Sequence, residues 1–182
     1  MSILKKKSIK LIYFFIIVVS INVVSLKNSF SNEWWDTNIS SPYLIGEGVL
    51  KVFVWDIYTL RLFSETKKFN SSHPLVLEFE YLRDTSKKSV IKASIKELKK
   101  LNIPKNKLLI WEKYLNNTIS DMTKGEKAAL YWEPGSQITF YVKERLKKII
   151  KDKEFADAYI NIWLGENTSR PILRDKIIGL KK

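Results

Sequence analysis

The chain has no cysteine among its 182 residues. This absence excludes disulfide bonds, thiol nucleophiles, metal sites built on cysteine and a lipid tether through cysteine. Histidine is almost as scarce, because His73 is the only one, and it precedes Pro74 in a polar surface turn. A histidine-based metal site and a serine–histidine–aspartate triad are therefore excluded as well. We expect the protein to need no metal and no other cofactor.

Acidic residues are also few, with 19 Asp and Glu against 32 Lys and Arg, for a formal net charge of +13. Residues 1–31 hold five lysines and no acid, and subtracting them leaves +8 for the rest. That excess is mostly lysine spread along predicted helix faces, which is typical of solvated surfaces. Aromatic residues do not interleave with basic ones as a base-stacking platform requires. We predict no nucleic-acid partner and keep peripheral contact with an anionic membrane as an alternative.

One long apolar run is present, at the N-terminus. Residues 1–10 are basic, residues 11–26 are almost continuously apolar, and Ser29 and Ser31 supply small residues at the −3 and −1 positions before Asn32. This order is that of a secretory signal peptide. The run is short for a transmembrane helix, so an uncleaved membrane anchor is the less favoured alternative.

The predicted signal peptide covers residues 1–31, which leaves residues 32–182 for one domain with one sizeable core. Export would place that domain in the periplasm. It would act there without ready access to cytoplasmic nucleotides.

Residues 44–63 have the pattern of a single long extended segment, because β-branched and aromatic residues dominate it. Alternation places apolar side chains on one face, and Asp56 falls in their row. An isolated buried carboxylate costs many kcal/mol. Asp56 therefore belongs either to a structural ion pair or to a ligand pocket.

The rest of the chain separates strands from helices. Strands are predicted over 75–82, 128–133 and 137–143, with 146–150 as a short further member, and helices over 86–101, 105–119, 152–165 and 169–180. Glu78 and Glu80 are expected to point to solvent from one strand face. Because strands and helices do not alternate, we predict an α+β fold, an antiparallel β-sheet covered on one face by helices.

Several short motifs follow one another along the chain. They are Gly46-Glu47-Gly48, Trp55-Asp56-Ile57-Tyr58, Phe79-Glu80-Tyr81-Leu82-Arg83-Asp84, Asp152-x-Glu154-Phe155-Ala156, Ile162-Trp163-Leu164-Gly165, and Leu173-Arg174 with Ile178-Gly179-Leu180. In this order and spacing the chain resembles the chalcone isomerase-like family, specifically its small exported bacterial branch. The resemblance implies an open-faced β-sandwich with a pocket between the sheet and the helices.

The resemblance implies two kinds of function. Plant enzymes of that family close a chalcone ring, and fatty-acid-binding relatives hold an acyl chain in the same cleft. The enzymes' catalytic arginine would fall at about Leu50 of this chain, and their polar helix positions near Ser89, Lys92 and Lys96. Only a lysine is retained. Since losing one preorganised charge donor costs about two to three decades of rate, we do not expect chalcone isomerisation.

The predicted function is therefore that of an exported, non-catalytic protein that binds a small apolar, anionic ligand such as a fatty acid or lipid. The candidate ligand-binding residues are Asp56, Tyr58, Tyr81, Arg83 and Lys92. Arg83 could instead form a structural ion pair with Asp56 or Asp84.

Two alternatives stay open. One is an isomerase or lyase of unknown substrate that uses Asp56, Tyr58 or Lys92 as acid or base. The other is an envelope interaction protein without a ligand, which an interior cavity below roughly 300 Å3 would favour.

Overall fold

A computed structural model of the chain describes Trp34, Trp35, Ile39 and residues 41–181. Six strands form one antiparallel sheet in which spatial order follows sequence order. They are β1 (Tyr43–Val52), β2 (Trp55–Ser64), β3 (Leu75–Tyr81), β4 (Lys127–Glu133), β5 (Gln137–Val142) and β6 (Arg145–Ile150). The predicted signal peptide lies outside the described residues.

Four helices occur between β3 and β4 and after β6. They are α1 (Lys87–Lys99), α2 (Lys105–Thr118), α3 (Lys153–Leu164) and α4 (Pro171–Ile177). The side chains of Ser86 and Asp152 cap α1 and α3 by accepting hydrogen bonds from backbone N–H groups inside the first turn, as short polar side chains commonly do. The predicted α+β fold, with helices against one face of an antiparallel sheet, is confirmed.

The core lies between the sheet and the helices. Apolar residues that alternate along the strands meet the apolar stripes of the helices there, as amphipathic elements require. Fully buried members of this core include Leu60, Leu62, Leu77, Leu98, Leu115, Phe155 and Ile160.

The prediction of one continuous strand over residues 44–63 is wrong. The segment folds as a hairpin in which β1 and β2 are joined by Phe53 and Val54 alone. The turn contains no glycine, proline or asparagine, so the usual sequence signal for a two-residue hairpin is missing. The hairpin takes Asp56 out of the predicted apolar row, because Asp56 is exposed opposite Lys51 and its carboxylate lies 3.1 Å from the Lys51 ammonium.

The two glycines of Gly46-Glu47-Gly48 let α4 approach β1 closely. A Cβ atom at Gly46 would collide with the backbone carbonyl oxygen of Lys176, and one at Gly48 would lie 2.7 Å from a methyl group of Leu173. Their role is therefore close packing of a helix on an edge strand. Because α4 packs directly on β1, it covers the core along this edge of the sheet.

The second face of the sheet holds an ionic network centred on Arg61. Register places Glu47 and Glu78 directly across from Arg61 on the two neighbouring strands. Arg61 Nε donates to Glu47 at 2.8 Å, and Arg61 Nη1 donates to Glu78 at 3.2 Å and to Glu80 at 2.9 Å. The expectation that Glu78 and Glu80 point freely to solvent is wrong, because both are bound to Arg61 and Glu78 is buried.

The second face is also partly covered by residues that precede β1. Trp35 and Ile39 are buried there with Phe63, and the Trp34 indole N–H donates to Glu78 at 3.1 Å. Among the helices of residues 41–181, none combines the length and the apolar character needed to span a bilayer.

Candidate functional site

A cavity of about 840 Å3 lies between the sheet and helices α1 and α3. It is near the end of the sheet where β1 turns into β2 and where β3 ends. The sheet contributes apolar side chains to its wall, and so do the helices and the segment before β4. This part of the wall comprises Leu50, Val52, Ile57, Phe79, Val90, Ala93, Ile119, Met122, Ala128, Leu130, Phe140, Val142 and Ile162.

Three tyrosines form the deepest polar part of the wall. Tyr58 and Tyr81 are cross-strand neighbours on β2 and β3, and their rings lie 5.9 Å apart at the centroids. Tyr159 of α3 completes the group, and its hydroxyl lies 3.3 Å from the Ser94 hydroxyl of α1. These phenols bring a few hydrogen-bonding groups into an otherwise apolar space.

The hydrogen bonds of these tyrosines leave donors for a bound molecule. The Trp163 indole N–H donates to the Tyr58 oxygen at 2.9 Å, so the Tyr58 proton remains free to donate. Among the described residues, the Tyr81 hydroxyl has no hydrogen-bond partner. Both hydroxyls therefore offer a proton toward the cavity.

Burial keeps all three phenols protonated. It raises the pKa of Tyr159 to about 12. It also raises the pKa values of Tyr58 and Tyr81 above their ordinary value. Removal from water disfavours the charged phenolate. At neutral pH these groups can donate hydrogen bonds, and they are poor general bases.

Two arginines stand at the polar rim of the cavity. Arg83 follows β3 and stacks its guanidinium on the Trp55 ring, 4.4 Å from the centroid. Arg170 precedes α4 and is exposed at the same cavity. Within the described part of the chain, neither guanidinium forms an ion pair with a carboxylate. Both are available to an anionic group.

The carboxylate of Glu97 at the same rim is already occupied. It accepts hydrogen bonds from Lys100 at 2.6 Å and from the Ser169 hydroxyl at 2.9 Å. Burial alone would raise the pKa of Glu97, but these hydrogen bonds outweigh burial and lower it. Glu97 is therefore an anion held mainly by Lys100 and Ser169, and the nearby charge of Arg170 stabilises it further without a direct ion pair between the two.

Three of the five predicted binding residues line the cavity, namely Tyr58, Tyr81 and Arg83. Asp56 and Lys92 do not line it. Asp56 pairs with Lys51 on the outer side of the hairpin, and Lys92 is exposed on α1. The predicted Arg83 ion pair with Asp56 does not form, since Asp56 is bound to Lys51 and Arg83 to Trp55.

The helix face toward the cavity differs from the one expected from the resemblance. Ser89 lines the cavity, whereas Lys92 and Lys96 are exposed elsewhere on α1. The cavity face of α1 instead continues through Ala93 and Glu97, in the helical spacing of three to four residues. Leu50, where the resemblance places the enzymes' arginine, lines the cavity with an apolar side chain.

Sequence reasoning singled out neither Arg170 nor Tyr159 as a binding residue. Arg170 lies between Ser169 and Pro171, which suggested only the start of a helix. No local pattern shows that this position returns to the mouth of a cavity built from β1, β2 and β3. Within the described residues, no group of three or more histidine, aspartate or glutamate side chains is placed to hold a metal ion.

Comparison with known proteins agrees with this architecture. A family model described as chalcone isomerase-like matches residues 34–179. An uncharacterized protein of Haemophilus influenzae is 27% identical over 127 residues, and this match covers 69% of the chain and 62% of the relative. The chain thus spans less than two thirds of that relative's length.

A solved structure also shares the fold. The crystal structure of a fatty-acid binding protein of Arabidopsis thaliana matches with a TM-score of 0.61 at 11% identity, over 82% of this chain and 91% of the other. At this identity the similarity is one of fold.

Proposed function

The chain belongs to the chalcone isomerase-like family, and from this premise we propose that it binds a small apolar molecule with an anionic headgroup, such as a fatty acid, without transforming it. The acyl chain would occupy the apolar part of the cavity. The headgroup would meet Arg83 or Arg170 and the tyrosine hydroxyls.

The observation that carries this proposal is the pairing of an apolar cavity with two arginines that form no ion pair with any carboxylate of the described residues. Ligand sites are commonly clefts of about 300 to 1,000 Å3 with mostly apolar walls and a few polar groups. The cavity volume of about 840 Å3 lies within that range. A cation at the rim of an apolar space favours an amphiphile with a negative end over a neutral hydrocarbon.

The fatty-acid-binding function of the Arabidopsis thaliana neighbour supports the same ligand class. The apolar Leu50 supports binding without catalysis, since the charge that ring closure requires is missing at the position the resemblance gives it. We also propose that the protein acts in the periplasm after removal of residues 1–31. Detection of the chain beginning near Asn32 in a periplasmic extract would support this location, and recovery only in the cytoplasm would contradict it.

The two alternatives have less support. An acid–base enzyme built on Asp56, Tyr58 and Lys92 would need these groups in one cleft, and only Tyr58 lines the cavity. Its raised pKa also makes Tyr58 a poor base. An interaction protein without a ligand would not need a cavity of this volume.

The proposal is tested by titrating the protein with a fluorescent fatty-acid analogue. Arg83→Gln and Arg170→Gln are compared with Lys99→Gln, which removes one exposed charge from α1 away from the cavity lining. Because a hydrogen bond to a charged group contributes about 1.5 to 3 kcal/mol, we expect at least one arginine variant to bind about tenfold more weakly. The Lys99→Gln variant should bind normally.

A fatty alcohol of the same chain length serves as a second control. It should compete about equally in the wild type and in the arginine variants, because it carries no charge. Failure of the wild type to bind any acyl probe would contradict the proposal. Equal weakening by Lys99→Gln would show only a general charge effect and would contradict the assigned headgroup site.

A further inference from the structure

The turn between β1 and β2 exposes three large apolar side chains. Phe53 is 96% exposed, Val54 84% and Trp55 58%. We call residues 53–55 the hairpin tip. Isolated exposed apolar residues are ordinary on protein surfaces, but three consecutive ones at a protruding turn form a patch that the fold itself does not bury.

The requirements of the turn do not explain these residues. Phe53 has a φ of +54°, a left-handed conformation that is unfavourable for a bulky side chain. A two-residue hairpin turn with positive φ at its first position is usually made with glycine there. A tip chosen only for folding would be small and polar. Both the backbone conformation and the side chains of the hairpin tip therefore differ from those that a two-residue turn favours.

The hairpin tip is continuous with the rim of the cavity. Val52 and Ile57, which flank it on β1 and β2, line the cavity. Arg83 lines the cavity, and its guanidinium stacks on Trp55. A surface that touches the tip therefore lies beside the space assigned to the ligand.

We propose that the hairpin tip inserts into the surface of a lipid bilayer and that the amphiphilic ligand passes between the bilayer and the cavity beside it. The passage of the ligand rests on the proposed function, because it identifies the bilayer as the place from which the ligand is taken or to which it is delivered. The insertion of the tip can be tested by itself.

The size and chemistry of the tip favour a bilayer over a protein partner. A stable protein interface buries about 800 Å2 on each partner, more than three side chains on a two-residue turn supply. Tryptophan is enriched at the membrane interface, where its ring meets both headgroups and hydrocarbon. The Lys51–Asp56 pair is neutral beside the tip, which leaves Arg83 as the local cation for a lipid phosphate.

The overall charge of the domain points the same way. Residues 32–182 carry an excess of +8. A positively charged protein is drawn to anionic lipid surfaces. Attraction of this kind brings the domain to the bilayer, and the tip then supplies the apolar contact.

The absence of cysteine permits a site-specific test in the full chain. Phe53→Cys and Ser136→Cys are each labelled with an environment-sensitive fluorophore and mixed with vesicles of phosphatidylcholine and phosphatidylglycerol. Ser136 is an exposed residue in the turn between β4 and β5, at the opposite end of the sheet. We expect the label at position 53 to shift to the blue and brighten, and the label at position 136 to keep its emission in water.

Each other outcome overturns the insertion. A label at position 53 that stays in water while the protein sediments with vesicles would assign membrane binding to another segment. Equal shifts at both positions would indicate unspecific adsorption. A shift at position 53 that depends on protein concentration without vesicles would assign the tip to contact between two copies of the chain.

A second variant tests the passage of the ligand. Phe53→Gly with Val54→Asn removes the apolar tip and installs residues that this turn prefers. We expect transfer of a fluorescent fatty acid from vesicles to slow about tenfold, since one buried aromatic side chain contributes about that factor to partitioning. Affinity for the same probe in solution should be unchanged.

Unchanged transfer in this variant would contradict the passage route. Failure of the proposed function is distinguishable, because it would abolish probe binding in solution while the label at position 53 still reports insertion. Failure of the insertion would leave probe binding intact and the label in water.

Discussion

Arg61 and Arg83 have opposite surroundings, because Arg61 lies within β2 on the second face of the sheet and Arg83 follows β3 at the rim of the cavity. Arg61 is held by three carboxylates at 2.8 to 3.2 Å, all placed by strand register. Arg83 has a single ring contact with Trp55 and borders a cavity. An arginine held by several fixed acids contributes to folding, whereas one that forms no ion pair and borders an apolar space can bind a ligand.

Because Arg61 is bound by three carboxylates, we expect Arg61→Ala to reduce the stability of the fold more than the other substitutions below. It would leave three carboxylates together, with Glu78 buried and its main cation removed. Removing one partner of a buried ion pair costs about 3 kcal/mol or more. We expect a loss of about 3 kcal/mol in the free energy of unfolding, measured by urea denaturation.

Arg83→Ala is the matched control for that measurement. It removes only a partly exposed cation–π contact, which contributes about 0.5 to 1 kcal/mol. A loss in Arg83→Ala as large as in Arg61→Ala would contradict the distinction between a structural and an available arginine.

A smaller difference in stability is expected between the two faces of the sheet. The face toward the helices borders the cavity and is loosely packed, whereas the second face is closely packed. Ala128 and Ala129 are neighbours on β4, so their side chains point to opposite faces. Both residues contribute to the cavity wall, but Ala128 packs at the edge of the helix-side core, whereas Ala129 is buried with Val76 and Tyr131 on the second face. Overpacking a well-packed site costs about 1 to 3 kcal/mol.

We therefore expect Ala129→Leu to lower the free energy of unfolding by about 2 kcal/mol. Ala128→Leu should cost little, because the added carbons enter the cavity, and should weaken binding of a long-chain acyl probe. Urea denaturation and probe titration of both variants check this. Equal losses of stability would mean that the cavity side is as closely packed as the other.

Local patterns predicted the elements well, since alternation, caps and the proline after α1 act within a few residues. They placed β3, α1, α2 and α3 nearly at their observed bounds. The β1–β2 turn was missed because Phe53 and Val54 carry no turn signal. The family resemblance supplied the pocket between sheet and helices, which periodicity alone does not give.

The site residues that sequence reasoning missed depend on long-range placement. The network of Arg61 requires the cross-strand register, which is known only once the hairpin is known. Arg170 reaches the cavity because α4 packs on β1 through Gly46 and Gly48. The face of α1 that meets the cavity is set by tertiary packing. The resemblance indicated Lys92 on that face, but the residue that lines the cavity is the adjacent Ala93.

The smallest expected effect is the contribution of the cavity phenols to the pH dependence of stability. The pKa of Tyr159 is about 12 when folded against 10 as the ordinary value. Between these pH values the unfolded chain loses the proton and the folded chain keeps it, so stability is complete below pH 10 and falls as pH rises toward 12. The slope for one such group is about 1 kcal/mol per pH unit.

Tyr159→Phe should therefore reduce the alkaline loss of stability by about that slope. Urea denaturation at a series of alkaline pH values measures the slope, and phenolate absorbance of the folded protein measures the ionisation directly. An ordinary ionisation of Tyr159 in the folded state would mean that water reaches the deepest phenol of the cavity. The assigned apolar interior would then be wrong at that point, while the ionic network around Arg61 would be unaffected.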